Sequence, residues 1–414
     1  MSALQPVRGT RDLLPEESRR HRHVEETARQ VAELYGYEEV ATPIFEFTEV
    51  FKRTLGDTSD IVTKEMYTFE DRGGEQLTLR PEATAGIMRA LISGGLAQHL
   101  PLKFFCAGPM FRSERPQKGR YRQFHQIDIE LLGVPEPLGD VEVIAVGAHI
   151  LDALGVLGKT TLELNTLGDA ESRAAYRAAL VAYLGQRLDE LSADSRARLE
   201  RNPLRVLDSK DEADKRIVAE APVYFDYLNE SSRAFFEKVK SALETLGIAF
   251  RLNPRIVRGL DYYCHTVFEF TTNELGAQGA VLAGGRYDGL AETMGGPATA
   301  SVGWAGGIER LAMLAGESVS PARPIAVVPI GPQAESAALA LARDLRRRGM
   351  AVELAFHGNL SRRLKRANKV KARIAVLLGD NELGRKVAGL RDLDTGAQSE
   401  VALDVLVDRL AAER

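Results

Sequence analysis

Cysteine is scarce in this sequence, and long apolar runs are absent. The 414 residues include two cysteines, Cys106 and Cys264, which stand far apart. Such a pair makes neither a disulfide framework nor a zinc cluster, and it fits a reducing compartment. No apolar run approaches the roughly 18 residues that a membrane span needs, and Met1–Arg11 lacks the apolar segment of a secretory signal. The sequence therefore predicts a cytoplasmic protein without a membrane segment.

The rest of the composition is typical of a globular protein. Hydrophobic residues make up 44% of the chain and charged residues 27%, which excludes a disordered or fibrous protein. At roughly 100–200 residues per domain, the length predicts two or three domains. The segment Gly316–Pro324, rich in Gly, Ser and Pro, is the best candidate for a linker. We therefore expect domains at residues 1–318 and 324–414.

Basic residues are distributed unevenly along the chain. The net charge is −4 overall, yet residues 321–414 contain 17 Lys and Arg against 11 Asp and Glu, a balance of +6. The remainder of the chain therefore carries −10. Residues 362–373 include seven basic residues and no acidic one. This asymmetry indicates either a polyanionic partner or a solvated helix face, and charge alone leaves both open.

Hydrophobic periodicity predicts how the secondary structure is organised. A first helix is predicted over Pro15–Tyr35, and a helical insert over about residues 170–246, because β-type segments resume after it. Beyond the linker, predicted strands alternate with helices, which indicates a small α/β domain. The last predicted element is a helix over Val401–Ala411. The predicted strands of this domain are Ile325–Ile330, Ala351–Ala355 and Ile374–Leu378.

Two predicted strands, Phe104–Arg112 and Arg122–Leu132, flank a polar, arginine-rich loop. Side chains alternate along a strand, so one face of the second strand carries an aromatic and three polar groups: Phe124, Gln126, Asp128 and Glu130. On so apolar a strand this row needs water or a ligand, because buried polar groups must be paired. An exposed sheet face with surface ion pairs would explain the charges but not Phe124. A polar pocket for an anionic ligand, with an aromatic platform, is the better interpretation.

Further polar clusters stand in apolar surroundings. Glu82 and Thr84 lie where a strand turns into a helix, and they either cap that helix or bind a cationic ligand group. A glycine-rich turn over Ala283–Gly289 permits close backbone approach. Arg310 lies in the first turns of a helix, where it opposes the helix dipole unless an anion is near. Turn glycines, caps and surface arginines would explain each cluster taken singly.

Together these segments resemble a known enzyme family. Phe111-Arg-x-Glu-Arg-Pro-Gln-x-Gly-Arg120, followed by Phe124-x-Gln126-x-x-x-Glu130, is similar to the second motif of class II aminoacyl-tRNA synthetases. Gly306-Gly-Ile-Glu-Arg310 is similar to the third motif, and Ala41-Thr-Pro-Ile-Phe-Glu46 to the first, which forms the dimer interface. Arg258-Gly-Leu-Asp-Tyr-Tyr263 and Ala283-Gly-Gly-Arg-Tyr-Asp-Gly289 resemble stretches particular to histidyl-tRNA synthetases. The likeness spans nearly the whole chain.

The resemblance implies a fold and an activity. The fold would be α+β, with a class II antiparallel sheet, flanking helices, the helical insert and a C-terminal α/β anticodon-binding domain. The activity would be ATP-dependent attachment of L-histidine to tRNA(His) through a histidyl-adenylate, by a homodimer, with Mg²⁺ accompanying ATP. Departures from the family pattern at Ala83, Asn368 and Lys371 leave the catalytic residues untouched.

The resemblance also implies which residues hold each substrate. Arg112 and Arg258 would be catalytic, Arg258 standing where other class II enzymes use a metal ion, and no metal site in the protein is implied. The residues implied for histidine are Glu82, Thr84, Gln126, Glu130, Tyr262, Tyr263 and Tyr287. Those implied for ATP are Arg112, Glu114, Arg120, Phe124 and Arg310. Those implied for tRNA are Arg115, Gln117, Arg362, Arg363 and Lys365.

Two other classes of function remain as alternatives. Synthetase-like regulatory proteins keep the fold, bind histidine and modulate another enzyme, but they typically lack the C-terminal domain and lose arginines of the ATP site. This chain has the C-terminal domain and also the arginines implied for the ATP site. A pure RNA-binding module is the third class, and it would not need carboxylates and phosphate-binding arginines in one pocket. The sequence therefore favours the enzyme.

Overall fold

The computed structural model of the chain forms two compact units, Met1–Ser318 and Val319–Arg414. The structure describes residues 4–55, 61–115, 119–207, 209–256, 262–276, 279–316, 320 and 322–412. Arg258 and Gln117, both implied above as functional residues, lie outside these ranges, as does Asp261. None of the described helices is both long and apolar enough to cross a membrane.

The first unit contains most of the regular structure. Its strands are β1 (Glu38–Glu39), β2 (Phe45–Phe47), β3 (Tyr67–Glu70), β4 (Gln76–Leu79), β5 (Leu102–Phe111), β6 (Gln123–Leu132), β7 (Thr161–Thr166), β8 (Phe250–Leu252), β9 (Cys264–Thr271), β10 (Ala280–Arg286) and β11 (Ser301–Gly307). Its helices are α1 (Pro15–Leu34), α2 (Thr48–Leu55), α3 (Thr84–Ser93), α4 (Pro137–Ala153), α5 (Ala170–Gly185), α6 (Ala193–Arg201), α7 (Glu212–Ala219), α8 (Glu230–Thr245), α9 (Leu290–Thr293) and α10 (Ile308–Ala315).

Eight of these strands form one sheet, in the order β1-β5-β6-β11-β10-β9-β7-β8. The sheet is antiparallel, as the resemblance implied, except that its two edge pairs, β1 with β5 and β7 with β8, are parallel. The pair β5–β6 is continuous from Leu102 opposite Leu132 to Phe111 opposite Gln123. On its other side β6 pairs with β11, which places Gly303 opposite Glu130. The row of polar residues on β6 therefore lies in the interior of the sheet.

Helices cover one face of this sheet. Ile127, Ile129 and Leu131, the residues of β6 that alternate with the polar row, belong to a core with α1, α4, α8 and α10. The first helix begins at Pro15, and acidic residues occupy its first turn, both of which favour a helix start. The predicted helix over Pro15–Tyr35 is thus present. The polar row therefore faces the other side of the sheet, where Leu132 of β6 belongs to a second core with α3 and α5.

The segment predicted as an insert is helical and is built from α5 to α8. Asp214 joins its turns by accepting hydrogen bonds from Ser192, Ser195 and Ser209. Burial opposes ionisation there, but these hydrogen bonds outweigh it and lower the pKa of Asp214 to about 2. The last helix, α8, packs against α4 and belongs to the core beneath the large sheet. The segment is therefore anchored to the sheet through its final helix.

A second, small sheet of the first unit has the order β2-β4-β3. Phe45 and Phe47 of β2 are 52% and 55% exposed, and Phe69 of β3 is 43% exposed. The register aligns them with Leu77 and Leu79 of β4, so all of these side chains share one face. The other face is polar, because the hydroxyls of Thr48, Thr68 and Thr78 form a hydrogen-bonded chain. The small sheet therefore has an apolar face that this chain leaves exposed.

The second unit is a five-stranded sheet with helices. Its elements are β12 (Ile325–Ile330), α11 (Gln333–Arg347), β13 (Val352–Leu354), α12 (Leu360–Lys369), β14 (Ile374–Gly379), α13 (Asp380–Gly384), β15 (Val387–Asp392), β16 (Gln398–Ala402) and α14 (Leu406–Ala412). The strand order is β13-β12-β14-β15-β16, parallel up to β14 and antiparallel beyond it. The predicted strands and the alternation are confirmed. The helix predicted over Val401–Ala411 is wrong at its start, since residues 401 and 402 are the last two of β16 and pair with β15.

The two long helices of the second unit pack on opposite faces of its sheet. Ile325 and Val327 of β12 share a core with α11, whereas Ala326 and Val328 contact the side of α12. This alternation is the period of a buried strand. The basic run of residues 362–373 therefore falls mostly on α12, which lies alone on its face of β12 among the described helices.

Candidate active site

A cavity of about 280 Å³ lies on the face of the large sheet that carries the polar row. Strands β6, β10 and β11 form its floor, and the loop before β6, the start of α3 and the start of α10 form its walls. Most of the residues that the resemblance implied for histidine and ATP line it. They are Glu82, Thr84, Arg112, Glu114, Arg120, Phe124, Gln126, Tyr262, Tyr263, Tyr287 and Arg310.

The polar row of β6 is buried. Gln126 is 9% exposed, and Asp128 and Glu130 are each 1% exposed. The alternative of an exposed sheet face with surface ion pairs is therefore wrong. Strands β5 and β11 flank the row on both sides. A Cβ atom at Gly303 of β11 would overlap the Glu130 carboxylate and the carbonyl of Ile129. Glycine is required at this position because no other residue leaves room for a carboxylate.

Glu130 lies behind the cavity wall. It accepts a hydrogen bond of 2.5 Å from the Thr84 hydroxyl and another from the Tyr287 hydroxyl, and both of these residues line the cavity. Burial raises the pKa of Glu130 to about 8, although the two hydroxyl donors favour the ionised form. Glu130, which the resemblance implies for histidine binding, is thus protonated near neutral pH and bonded to two residues of the cavity wall.

Asp128 is the residue of the row to which the sequence assigned no role. Neither of its carboxylate oxygens has a hydrogen-bond partner within the described part of the chain. Burial, and then the negative charge of Glu130, raise the pKa of Asp128 well above its usual range. A neutral carboxyl avoids the cost of an unpaired buried charge, so the free protein holds a proton here as well.

Glu82 caps a helix and also borders the cavity. Its carboxylate accepts from the amides of Thr84 at 2.7 Å and Ala85 at 2.9 Å, which begin α3. It also lines the cavity. Burial raises the pKa of Glu82, against the effect of the two amides. A carboxylate has about four lone-pair sites, so Glu82 can satisfy the helix and still accept from an ammonium group.

Three tyrosines form an aromatic wall around the same end of the cavity. The ring centroid of Tyr262 lies 4.7 Å from that of Tyr263 and 5.5 Å from that of Tyr287. Tyr287 is fixed by its neighbour Arg286, which is fully buried and bonds Asp140 and Asp288. The sequence singled out the turn over Ala283–Gly289 but not this arginine. An Arg within an apolar, glycine-rich run is the signal that would have indicated a buried ion pair.

Arginines occupy the other end of the cavity. The guanidinium of Arg112 donates to the carbonyl of Pro81 at 2.9 Å and lies 5.2 Å over the ring of Phe124. The cation that the structure places over the ring of Phe124 is therefore Arg112. The arginine end of the cavity consists of Arg112, Arg120, Arg310 and Phe124.

Arg120 lies close enough to Arg310 to affect the pKa of that residue. Burial, and then the positive charge of Arg120, lower the pKa of Arg310. Glu114 forms an ion pair of 2.5 Å with Arg120. Two neighbouring arginines that line one cavity suit a polyphosphate ligand.

The residues implied for tRNA contact lie in both units. Arg115 is exposed at the end of a described segment and does not line the cavity. Arg362 and Lys365 are exposed on α12, which Asn359 caps by accepting from the amide of Arg362 at 3.0 Å. Arg363 is half-buried, and its guanidinium donates to the carbonyls of Gly358 and Pro329. Arg363 therefore anchors the start of α12.

Comparisons with known proteins agree with this geometry. A family model described as histidyl-tRNA synthetase matches residues 9–311, and one described as an anticodon binding domain matches residues 324–413. The histidine--tRNA ligase of Rhodospirillum rubrum is 62% identical over 412 residues, 99% of each chain, and that of Gluconacetobacter diazotrophicus is 60% identical over 411 residues, also 99% of each chain. The crystal structure of apo histidyl-tRNA synthetase from S. aureus is 34% identical and superposes with a TM-score of 0.84, covering 99% of this chain and 100% of that one.

Proposed function

Because the chain belongs to the histidyl-tRNA synthetase family, we propose that its cavity activates L-histidine with ATP and that the protein attaches the histidine to tRNA(His). The protein is a class II aminoacyl-tRNA synthetase, a histidine--tRNA ligase. The observation that carries the proposal is that carboxyl groups and arginines line the same cavity. A cationic amino acid fits the first and a polyphosphate the second.

The carboxyl groups suit histidine. Glu82, Thr84 and Gln126 would offer acceptors for the α-ammonium group. We assign the two imidazole nitrogens to Tyr263, which lines the cavity, and to Glu130, which lies directly behind Thr84 and Tyr287. Tyr262 and Tyr287 complete the wall. A site that bonds both ring nitrogens rejects analogues strongly, because a mismatch leaves buried polar groups unpaired.

The arginine end suits the first chemical step. A carboxylate oxygen of histidine attacks the α-phosphorus of ATP, the bond to the bridging oxygen breaks, and pyrophosphate leaves with that electron pair. Since an anion approaches a polyanion, positive charge around the α-phosphate is the main requirement. We assign this role to Arg112, with Arg120 and Arg310 on the outer phosphates beside Glu114, and Phe124 under the adenine. Mg²⁺ would enter with ATP, coordinated by phosphate oxygens.

In the second step the terminal ribose hydroxyl of tRNA attacks the acyl carbon of the adenylate, and AMP leaves. The anticodon binding domain, residues 324–413, would hold the other end of the tRNA through α12, and Arg115 and Gln117 would contact the acceptor end. The apolar face of the small sheet, which includes Phe45 and Phe47, would form the homodimer interface together with Ala41–Glu46. A protein working in translation would act in the cytoplasm.

The decisive experiment is ATP–pyrophosphate exchange with and without histidine. Histidine-dependent exchange, followed by charging of tRNA(His), supports the synthetase. Histidine binding without exchange would instead identify a regulatory protein, and tRNA binding without either an RNA-binding module. The regulatory alternative is not favoured, because the cavity retains Arg112, Arg120 and Arg310 and full-length relatives are named histidine--tRNA ligase.

Arg258 lies outside the described residues, and its role rests on the resemblance alone. We propose that it adds positive charge at the α-phosphate, where other class II enzymes use a metal ion. Arg258→Ala should therefore lower histidine-dependent exchange by on the order of 10²–10³, with an unchanged melting temperature. Exchange close to that of the wild type would contradict the assignment.

A further inference from the structure

Glu309 and His125 form a contact that ties two walls of the cavity together. Glu309 lies in the first turn of α10 and is 4% exposed. Its two carboxylate oxygens both accept from the backbone N–H of His125, each at 3.0 Å. The Nδ1 atom of the His125 ring lies 2.9 Å from the same carboxylate. Three polar contacts to one buried carboxylate fix its position far better than a surface ion pair would.

The contact replaces a missing strand partner. Strands β6 and β11 pair up to Gln126 opposite Gly307, where β11 ends and α10 begins. The next amide of β6, that of His125, bonds the Glu309 side chain instead of a neighbouring strand. A buried amide needs a partner, so Glu309 extends the β6 pairing by one residue from the start of α10.

The two bonded residues stand next to two ligand-binding residues in the sequence. Phe124 precedes His125 and Arg310 follows Glu309, and both Phe124 and Arg310 line the arginine end of the cavity. We infer that the His125–Glu309 contact is a positioning device which holds Phe124 of β6 and Arg310 of α10 at the spacing that ATP requires. This inference rests on the proposed function, because it assumes that ATP occupies that end of the cavity.

His21 of α1 packs against the His125 side chain of this contact. Its ring meets that of His125 edge-on, with centroids 5.4 Å apart and an interplanar angle of 82°. Groups on His21, His125 and Glu309 all lie within 4.8 Å of one another, the spacing of a possible metal site. However, donors from His125 already occupy the carboxylate, and Arg11 adds positive charge beside His21. Packing and hydrogen bonding account for the cluster without an ion.

The inference predicts a selective loss of ATP binding. In histidine-dependent pyrophosphate exchange, Glu309→Ala should raise the KM for ATP roughly tenfold, while the KM for histidine stays within about twofold. His125→Ala removes the ring contact but keeps the backbone N–H, so it should raise the KM for ATP less. The double variant should be little worse than Glu309→Ala, because that change already removes every contact of the pair. His125→Asn keeps a side-chain N–H near the position of Nδ1, and Glu309→Gln keeps an acceptor for the amide. Both should recover most of the ATP affinity.

Matched controls separate this role from others. His149→Ala removes an exposed ring on α4 and should behave as the wild type. A rise in both KM values with a lower melting temperature, also in the conservative variants, would overturn the inference in favour of a general structural role. If Glu309→Gln, which keeps an acceptor for the amide, loses as much ATP affinity as Glu309→Ala, the carboxylate acts on ATP directly and the inference is wrong. A wild type without histidine-dependent exchange would contradict the proposed function itself.

Discussion

At the scale of single residues, the buried carboxyl of Glu130 connects pH to stability. Its pKa is raised from 4.5 to about 8, chiefly by burial, so between these values the unfolded chain loses a proton that the folded protein keeps. The free energy of unfolding therefore falls as the pH rises through this window, by up to a few kcal/mol at about 1.4 kcal/mol per pKa unit. Below the window both states are protonated, and above it both are ionised.

Glu130→Gln should remove this dependence. Melting temperatures measured from pH 4.5 to 8.5 should decline less steeply for the variant than for the wild type, and the difference should grow toward pH 8. Glu335→Gln, at an exposed position of α11, is the matched control and should follow the wild type. Parallel profiles for Glu130→Gln and the wild type would show that Glu130 is ionised in the folded protein.

Gly303 allows a second test at this scale. Its missing side chain makes room for the Glu130 carboxylate, so Gly303→Ala should displace that carboxylate and lower the stability by roughly 1–3 kcal/mol. Histidine affinity should fall with it. Gly306→Ala, in the same strand but with its nearest contact at 3.3 Å, should cost much less. Equal and small effects of both changes, measured by calorimetry with histidine, would contradict the packing argument.

Sequence reasoning identified the polar row of β6 because strand alternation is local information. It could not identify the partners of that row. Thr84 and Tyr287 reach Glu130 from distant parts of the chain, and the burial that raises its pKa depends on β11 as well as on β6. The same holds for His125 and Glu309, which look like ordinary residues until the register of β6 and β11 brings them together.

At the scale of elements, α12 is the feature best suited to a test of tRNA binding. Arg362, Lys365 and Lys369 are exposed on it, whereas Arg363 supports the backbone before the helix. Changing Arg362 and Lys365 to Glu should therefore weaken tRNA binding and reduce the slope of its salt dependence, since each lost phosphate contact lowers that slope by about one. Histidine-dependent exchange should be unaffected, because that step needs no tRNA.

Arg343→Glu with Arg347→Glu is the matched control, with the same change of charge on α11, on the opposite face of the sheet. This pair should leave the KM for tRNA nearly unchanged at moderate salt. If both pairs weaken aminoacylation equally, the net charge of the domain matters and the face does not. If neither does, α12 is a solvated surface.

Elements with strong periodicity are predictable from this sequence, and the short paired strands β15 and β16 are not. Strand β12 is predictable because it is a short apolar run, and helix α11 because its apolar residues recur with a 3.6-residue period. Strands β15 and β16 are short, half-exposed and polar in parts, so the apolar residues near Val401 were interpreted as the start of a helix. Their pairing, Val387 opposite Ala402 to Arg391 opposite Gln398, depends on a turn that gave only a weak local signal.

At the scale of the whole molecule, the apolar face of the small sheet predicts assembly. Its aromatic and leucine side chains would remain in contact with water in a monomer, and burying them against a second copy is favourable. Light scattering at micromolar concentration should give a dimer. Phe47→Glu combined with Phe69→Glu should shift it to a monomer, while Leu339→Glu, at an exposed position of α11, should not. A wild-type monomer would contradict the proposal.

The register of β6 and β11 also has a consequence for how the protein is made. Glu130 pairs with Gly303, so during translation the chain between them must emerge from the ribosome before this carboxyl can be enclosed. At roughly 5–20 residues per second that interval is on the order of 10–30 s. If β5 and β6 pair during this interval, the edge of β6 that later receives β11 stays open, and an open edge is prone to pairing with other chains. The histidine site can therefore close only after β11 has emerged, and a chaperone that covers the edge of β6 would have its greatest effect before that point.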